Sequence, residues 1–239
     1  MSSNSIPSSK SSDRRLYSWA AVIAALIIFA GFARTFYLKG MFSTPALTGL
    51  LWVHGTVMTL WFALFIVQVR LVAAGRTDLH RRMGVIGGIL LLLIPPLGVL
   101  AAIAAARRGF TPAPDVSPLM FMAIPLVDIV VFAILVALAL WNRHRTATHK
   151  RLMLLATLSI LTPGIARIPI SFMQQAGLPI FFGLTILLVI ICVAVDTVQN
   201  RRLHPALGWG GALVIVSVPL RLMMAGTAAW TQFASWLVA

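Results

Sequence analysis

The chain has 239 residues, 60% hydrophobic and only 10% charged, with a mean hydropathy of +0.97; ordinary soluble domains are about 45–50% apolar and 25% charged. Its five acids are all Asp, at 13, 78, 115, 128 and 196, so a glutamate-paired glycosidase site, an HExxH zinc site and an EF-hand loop are excluded; the lone Cys192 excludes an internal disulfide or a CxxC site. The net charge of +14 comes from 19 Lys and Arg that lie mostly in short loops between apolar runs, which points to anionic lipid headgroups and not to a nucleic-acid partner.

In chain order, the first 15 residues are Ser-rich, carry Lys10, Arg14 and Arg15, and have the composition of a disordered cytoplasmic tail. Residues 16–239 then read as a single transmembrane domain. A crossing takes about 20 apolar residues, and runs at 17–38, 46–69, 83–105, 118–141, 151–171, 178–198 and 206–226 predict seven transmembrane helices. The first run is too long for a signal-peptide core and stays as helix one. Runs such as 86–106 are continuously apolar, which excludes an alternating barrel strand. The expected fold class is therefore all-α integral membrane. The tail and loops 2–3, 4–5 and 6–7 hold 13 of the 19 Lys and Arg, so the positive-inside rule puts the N-terminus in the cytoplasm and the C-terminus outside.

Three of those basic loops end alike. Thr77-Asp78-Leu79-His80-Arg81-Arg82, Thr146-Ala147-Thr148-His149-Lys150-Arg151 and Arg201-Arg202-Leu203-His204-Pro205 each place a histidine at the start of an odd-numbered helix, with Pro95, Pro163 or Pro219 following 14 or 15 residues later. This pattern predicts three repeated helical hairpins added to helix one. If the odd-numbered helices are neighbours, His80, His149 and His204 meet at one depth, where imidazoles suit a transition metal and a pair of them suits haem b. The competing reading is three interfacial histidines at helix entrances.

A second set lies toward the opposite face of the bilayer: Arg34, His54, Asp128, Arg167 and Arg221. Ionisable groups at such depth are costly unless paired or hydrated. His54 heads a helical face that continues through Met58, Trp61, Phe65 and Gln68. A haem with His54 as an axial ligand, and Met58 one turn away as a further candidate contact, would find apolar walls there, and the arginines would pair with its propionates. The blander expectations are an Asp128–Arg167 salt bridge and arginines that snorkel to the headgroups. Asp196 is expected to pair with Arg201 or Arg202. Cys192 reads as core and His144 as solvated loop, while Gly84, Gly87 and Gly88, with Gly208, Gly210 and Gly211, read as close-packing faces.

Val53-His54-Gly55, Leu79-His80-Arg81-Arg82-Met83-Gly84, Thr148-His149-Lys150-Arg151-Leu152-Met153 and Pro219-Leu220-Arg221-Leu222 together resemble a bacterial family of seven-helix integral membrane proteins of uncharacterised function, over nearly the whole chain. The resemblance implies the fold and carries no activity. The stretch from Leu79 to Gly84 is similar to one in another multispanning bacterial family of unknown function. Residues 149–156 resemble a segment of a small histidine-containing membrane family that includes a haem–copper oxidase assembly factor. These resemblances draw attention to His80 and His149.

A microbial rhodopsin is excluded because residues 206–226 hold no lysine for retinal, and a membrane terpene cyclase would need more buried acids than Asp128. The leading expectation is an inner-membrane protein that binds haem b or a metal ion through histidines, in respiratory electron transfer or oxidase assembly, alongside a respiratory-complex partner. The alternatives are an anion- or lipid-binding or transport protein using Arg34, Arg167, Arg221 and Asp128, and a structural subunit of a membrane complex.

Overall fold

The computed structural model describes residues 9–111 and 116–239, and the regular elements among these are all helices, with no strand. Ten α-helices follow in order: α1 Ser9–Phe32, α2 Gly49–Ala73, α3 Thr77–Arg107, α4 Pro118–Trp141, α5 Thr146–Ser159, α6 Thr162–Ile165, α7 Ser171–Ala176, α8 Leu178–Asn200, α9 Pro205–Ala225 and α10 Ala228–Val238. Helix α1 starts at Ser9, so the second half of the expected tail belongs to a helix; the first half lies outside the described residues. The last turn of α1 widens into a π-helical segment, Ala33–Tyr37.

Among the described residues six helices, against the seven expected, are long and apolar enough to cross a membrane: α1, α2, α3, α4, α8 and α9. Large apolar side chains point away from the bundle, among them Leu92 at 75% exposure and Met223 at 72%; this is the lipid-facing surface of a multi-pass membrane protein. Exposed tryptophans mark both ends, Trp141 and Trp209 at one and Trp52 and Trp236 at the other, where amphipathic rings meet headgroups.

The expected fifth span is broken. Helix α5 ends at Ser159, and the chain restarts at Thr162 as the single turn α6 with Pro163 at its first turn. Proline is not sufficient for a break, since α3 runs on through Pro95 and Pro96, α4 through Pro125 and α9 through Pro219. The difference is environment. Every residue from Leu154 to Thr162 is buried, and the segment is packed among α1, α4, α8 and α9, so irregular backbone there avoids lipid. Ser159 donates to the Ala156 carbonyl at 2.8 Å, and the Thr162 and Thr185 hydroxyls are bonded at 2.9 Å, tying the break to α8. On its other side Gly31 of α1 lies against Gly164: a Cβ at Gly31 would come within 2.1 Å of the Gly164 carbonyl oxygen. Glycine at position 31 allows this approach of backbone to backbone.

Glycine packing is met elsewhere in part. Gly210 is pressed by Leu155 and Gly211 faces Val193, whereas Gly84 and Gly88 have open space around them. Helix α10, which no apolar run announces, folds back across α3 and α4: the Trp230 indole donates to the Leu119 carbonyl at 2.8 Å and Arg107 to the Val238 carbonyl at 2.9 Å.

Candidate functional site

The repeated basic loops come together at one end of the bundle. Gln68, at the last turns of α2, donates to the His80 carbonyl at 3.2 Å. The His80 and His149 rings meet edge to face, with centres 6.3 Å apart and planes at 81°. Arg151 of α5 bonds Asp196 of α8 through Nε at 3.0 Å and Nη2 at 2.9 Å. Lys150 lies 5.3 Å from the ring centre of Tyr17 on α1. This basic end therefore joins α1, α2, α3, α5 and α8.

The histidine pair is the part of this end with coordinating capacity. His149 Nδ1 donates to the Ala139 carbonyl at 2.8 Å, which fixes its proton on Nδ1 and leaves the Nε2 lone pair available. His80 Nδ1 is buried and has no hydrogen-bond partner among the described residues. Both rings are half-buried, and neither is anchored to a carboxylate.

His204 does not join them. It is the N-cap of α9: its Nδ1 accepts from the Ala206 amide at 3.1 Å. Burial, with the charge of Arg151 next, holds its pKa below the usual 6.5, while Asp196 opposes that shift. Among the described residues no three His, Cys, Asp or Glu are grouped so as to hold a metal ion; the expected three-histidine cluster reduces to a pair. The physical reason is Pro205, which opens α9 and leaves the preceding histidine to serve as the cap. His144 is exposed, as expected.

The far-end set divides into local arrangements. Asp128 of α4 is ion-paired with Arg221 of α9, and not with Arg167. Arg221 also donates to the Ser217 carbonyl at 3.1 Å and hydroxyl at 2.7 Å, and its guanidinium stands 5.3 Å from the Phe182 ring centre. Arg167, exposed, donates to the Pro163 carbonyl at 2.9 Å and lies 4.9 Å from the Phe32 ring centre. Arg34, also exposed, lies 5.2 Å from that of Phe42. Both arginines stand over aromatic rings and neither pairs with Asp128. His54 is half-buried with Nδ1 unpartnered among the described residues, and its ring comes up to Gly98 of α3. Met58 packs partly buried against the core below it, and Trp61 and Phe65 are buried on the same face. The face is as the spacing predicts, and what covers it is α3 and α4, with Trp61 edge-on to Phe132 at 4.8 Å.

The partner of Asp196 also differs from expectation. It is Arg151, from a different helix, and both side chains are at most 4% exposed. Arg151, beside the basic loop between α4 and α5, is inside the bundle and not a loop cation. Residues nearest in sequence are poor guides here, because a helix end presents its side chains to neighbouring helices before its own loop.

Compared with known proteins, the chain matches no family model, no curated protein and no solved structure.

Proposed function

We propose that the chain crosses the bacterial inner membrane seven times, with the N-terminus cytoplasmic and α5 and α6 making the fifth crossing in two pieces. In this reading its basic end holds a transition-metal centre, as a bare ion or as the iron of haem b, between His80 and His149. The centre would serve respiratory electron transfer or oxidase assembly. The observation that carries the reading is the meeting of the two histidines with a free lone pair on His149. Imidazole nitrogens that bind one ion from two sides at about 2.0–2.1 Å each leave the ring centres about 6 Å apart, close to the separation seen. The Ala139 carbonyl supplies the outer partner that a ligating histidine takes.

The test is a visible spectrum of the detergent-purified protein, oxidised and dithionite-reduced, with metal analysis of the same sample. A Soret band that sharpens on reduction, or one stoichiometric metal per chain, is expected, and His80→Ala and His149→Ala each remove it. His54→Ala and His204→Ala retain it. Protein expressed with haem and metals in supply that shows neither band nor metal, or keeps its full content in both variants, would overturn the reading.

A further inference from the structure

Two clefts open at the basic end, and the histidine pair uses neither. The first, of about 200 Å³, lies between the start of α5, the end of α8 and the start of α9 and is lined by Lys150, Arg151, Asn200, Arg202 and His204. Its charge is strongly positive, since Asp196 offsets only Arg151. Arg202 is exposed and extends past the end of α8. The His204 Nδ1 accepts from the Ala206 amide, so a neutral His204 carries its proton on Nε2, where it is a donor. The cleft is therefore built almost wholly from donors, the complement of an anionic oxygen cluster.

The second cleft, of about 370 Å³, is an apolar groove between α1 and α8, floored by Leu158 of α5 and walled by Trp19, Ile23, Leu188 and Ile191. It starts at Arg15 and at Gln199, the residue next to Asn200 of the first cleft. The Gln199 side-chain oxygen is buried without a partner among the described residues. A basic cleft and an apolar groove that reach consecutive residues of one membrane-spanning helix together have the polarity of one molecule, a charged head on an acyl chain.

We propose that the end of α8 is a specific site for an anionic phospholipid, its phosphate held by Arg202 and His204 and one acyl chain lying in the α1–α8 groove. A general attraction of basic loops to anionic bilayers would treat all exposed cations at this end alike; a site would not. Arg143, exposed in the turn between α4 and α5 and outside both clefts, is the control.

The experiment titrates delipidated protein in neutral detergent with phosphatidylglycerol, phosphatidylcholine and inorganic phosphate, reading the melting temperature, which rises when a ligand selects the folded state. Chain-brominated forms of both lipids report groove occupancy by quenching Trp19, isolated as the difference between the protein and Trp19→Phe. Phosphatidylglycerol is expected to raise the melting temperature and quench Trp19, with phosphatidylcholine and phosphate at least tenfold weaker. Arg202→Gln and Arg15→Gln should each weaken phosphatidylglycerol at least tenfold, and Arg143→Gln less than twofold. Equal binding of the two lipids, equal stabilisation by phosphate without quenching, or equal loss in Arg143→Gln and Arg202→Gln would each overturn the site. Metal or haem content plays no part in the readout, so the outcome stands apart from that of the histidine centre.

Discussion

The two ends of the bundle treat their charges differently. At the far end the exposed arginines Arg34, Arg107 and Arg167 rest on uncharged partners, aromatic rings for Arg34 and Arg167 and backbone carbonyls for Arg107 and Arg167. At the basic end, groups from different helices meet across the bundle, His80 with His149 and Arg151 with Asp196. One buried pair, Asp128–Arg221, is the far end's counterpart to Arg151–Asp196. A charge near a helix terminus can satisfy itself by bending toward headgroups, whereas one turned inward needs a partner that only another helix supplies.

The largest effects should come from breaking those two pairs one side at a time. Arg221→Met and Arg151→Met each leave a buried carboxylate without its counter-charge, expected to cost about 3–5 kcal/mol, measured as the loss in denaturant or thermal unfolding in detergent. Replacing both partners, Asp128→Leu with Arg221→Met, should recover most of that loss, because the desolvation penalty goes with the charges. A double variant as unstable as the single one would show that the far pair does more than balance charge.

Gly31→Ala comes next. The added methyl meets the Gly164 carbonyl, which belongs to backbone and cannot turn aside, so about 1–3 kcal/mol of stability should be lost. Gly84→Ala, in open space, should be neutral or slightly stabilising, and the two melting curves side by side test whether the break in the fifth span is held by that contact.

A smaller effect depends on pH. The folded state holds the His204 pKa below 6.5, so the unfolded chain binds the proton more readily. Stability from this group is complete above pH 6.5 and falls as the pH drops through that value toward the folded pKa. His204→Asn keeps a cap and should flatten the slope of stability between pH 7 and 5. The smallest effects belong to Arg34→Gln and Arg167→Gln, within about 0.5 kcal/mol each. A cost matching Arg221→Met at either position would erase the contrast between the ends.

Much of this was legible in the residues. Apolar runs mark the six long helices, the repeated His-containing loops foretell that His80 and His149 meet, and the face from His54 to Phe65 packs as its spacing predicts. Partners were harder: Asp128 and Asp196 announce themselves as needing a cation, but which cation depends on which helices touch, and linear order does not encode that. The break after Ser159 is hidden because Pro163 resembles Pro95 and Pro219, and it is burial that separates their fates. Helix α10 escapes the apolar-run criterion since it needs only one face, carried by Trp230 and Ala234.

The shortness of α5 bears on how the protein is made. Fourteen residues reach about 21 Å, against a hydrocarbon core of about 30 Å, and α5 carries His149, Lys150, Arg151 and buried hydroxyls at Thr157 and Ser159. A segment this short and polar has little tendency to leave the translocation machinery for lipid unaided. Its stabilising neighbours α8, which brings Asp196, and α9, which brings Gly210, are synthesised after it. If α5 is part of a fifth crossing as proposed, its membrane integration waits on the ribosome to deliver about the last quarter of the chain, and a nascent chain arrested before Asn200 should leave α5 open to proteases or to labelling from water.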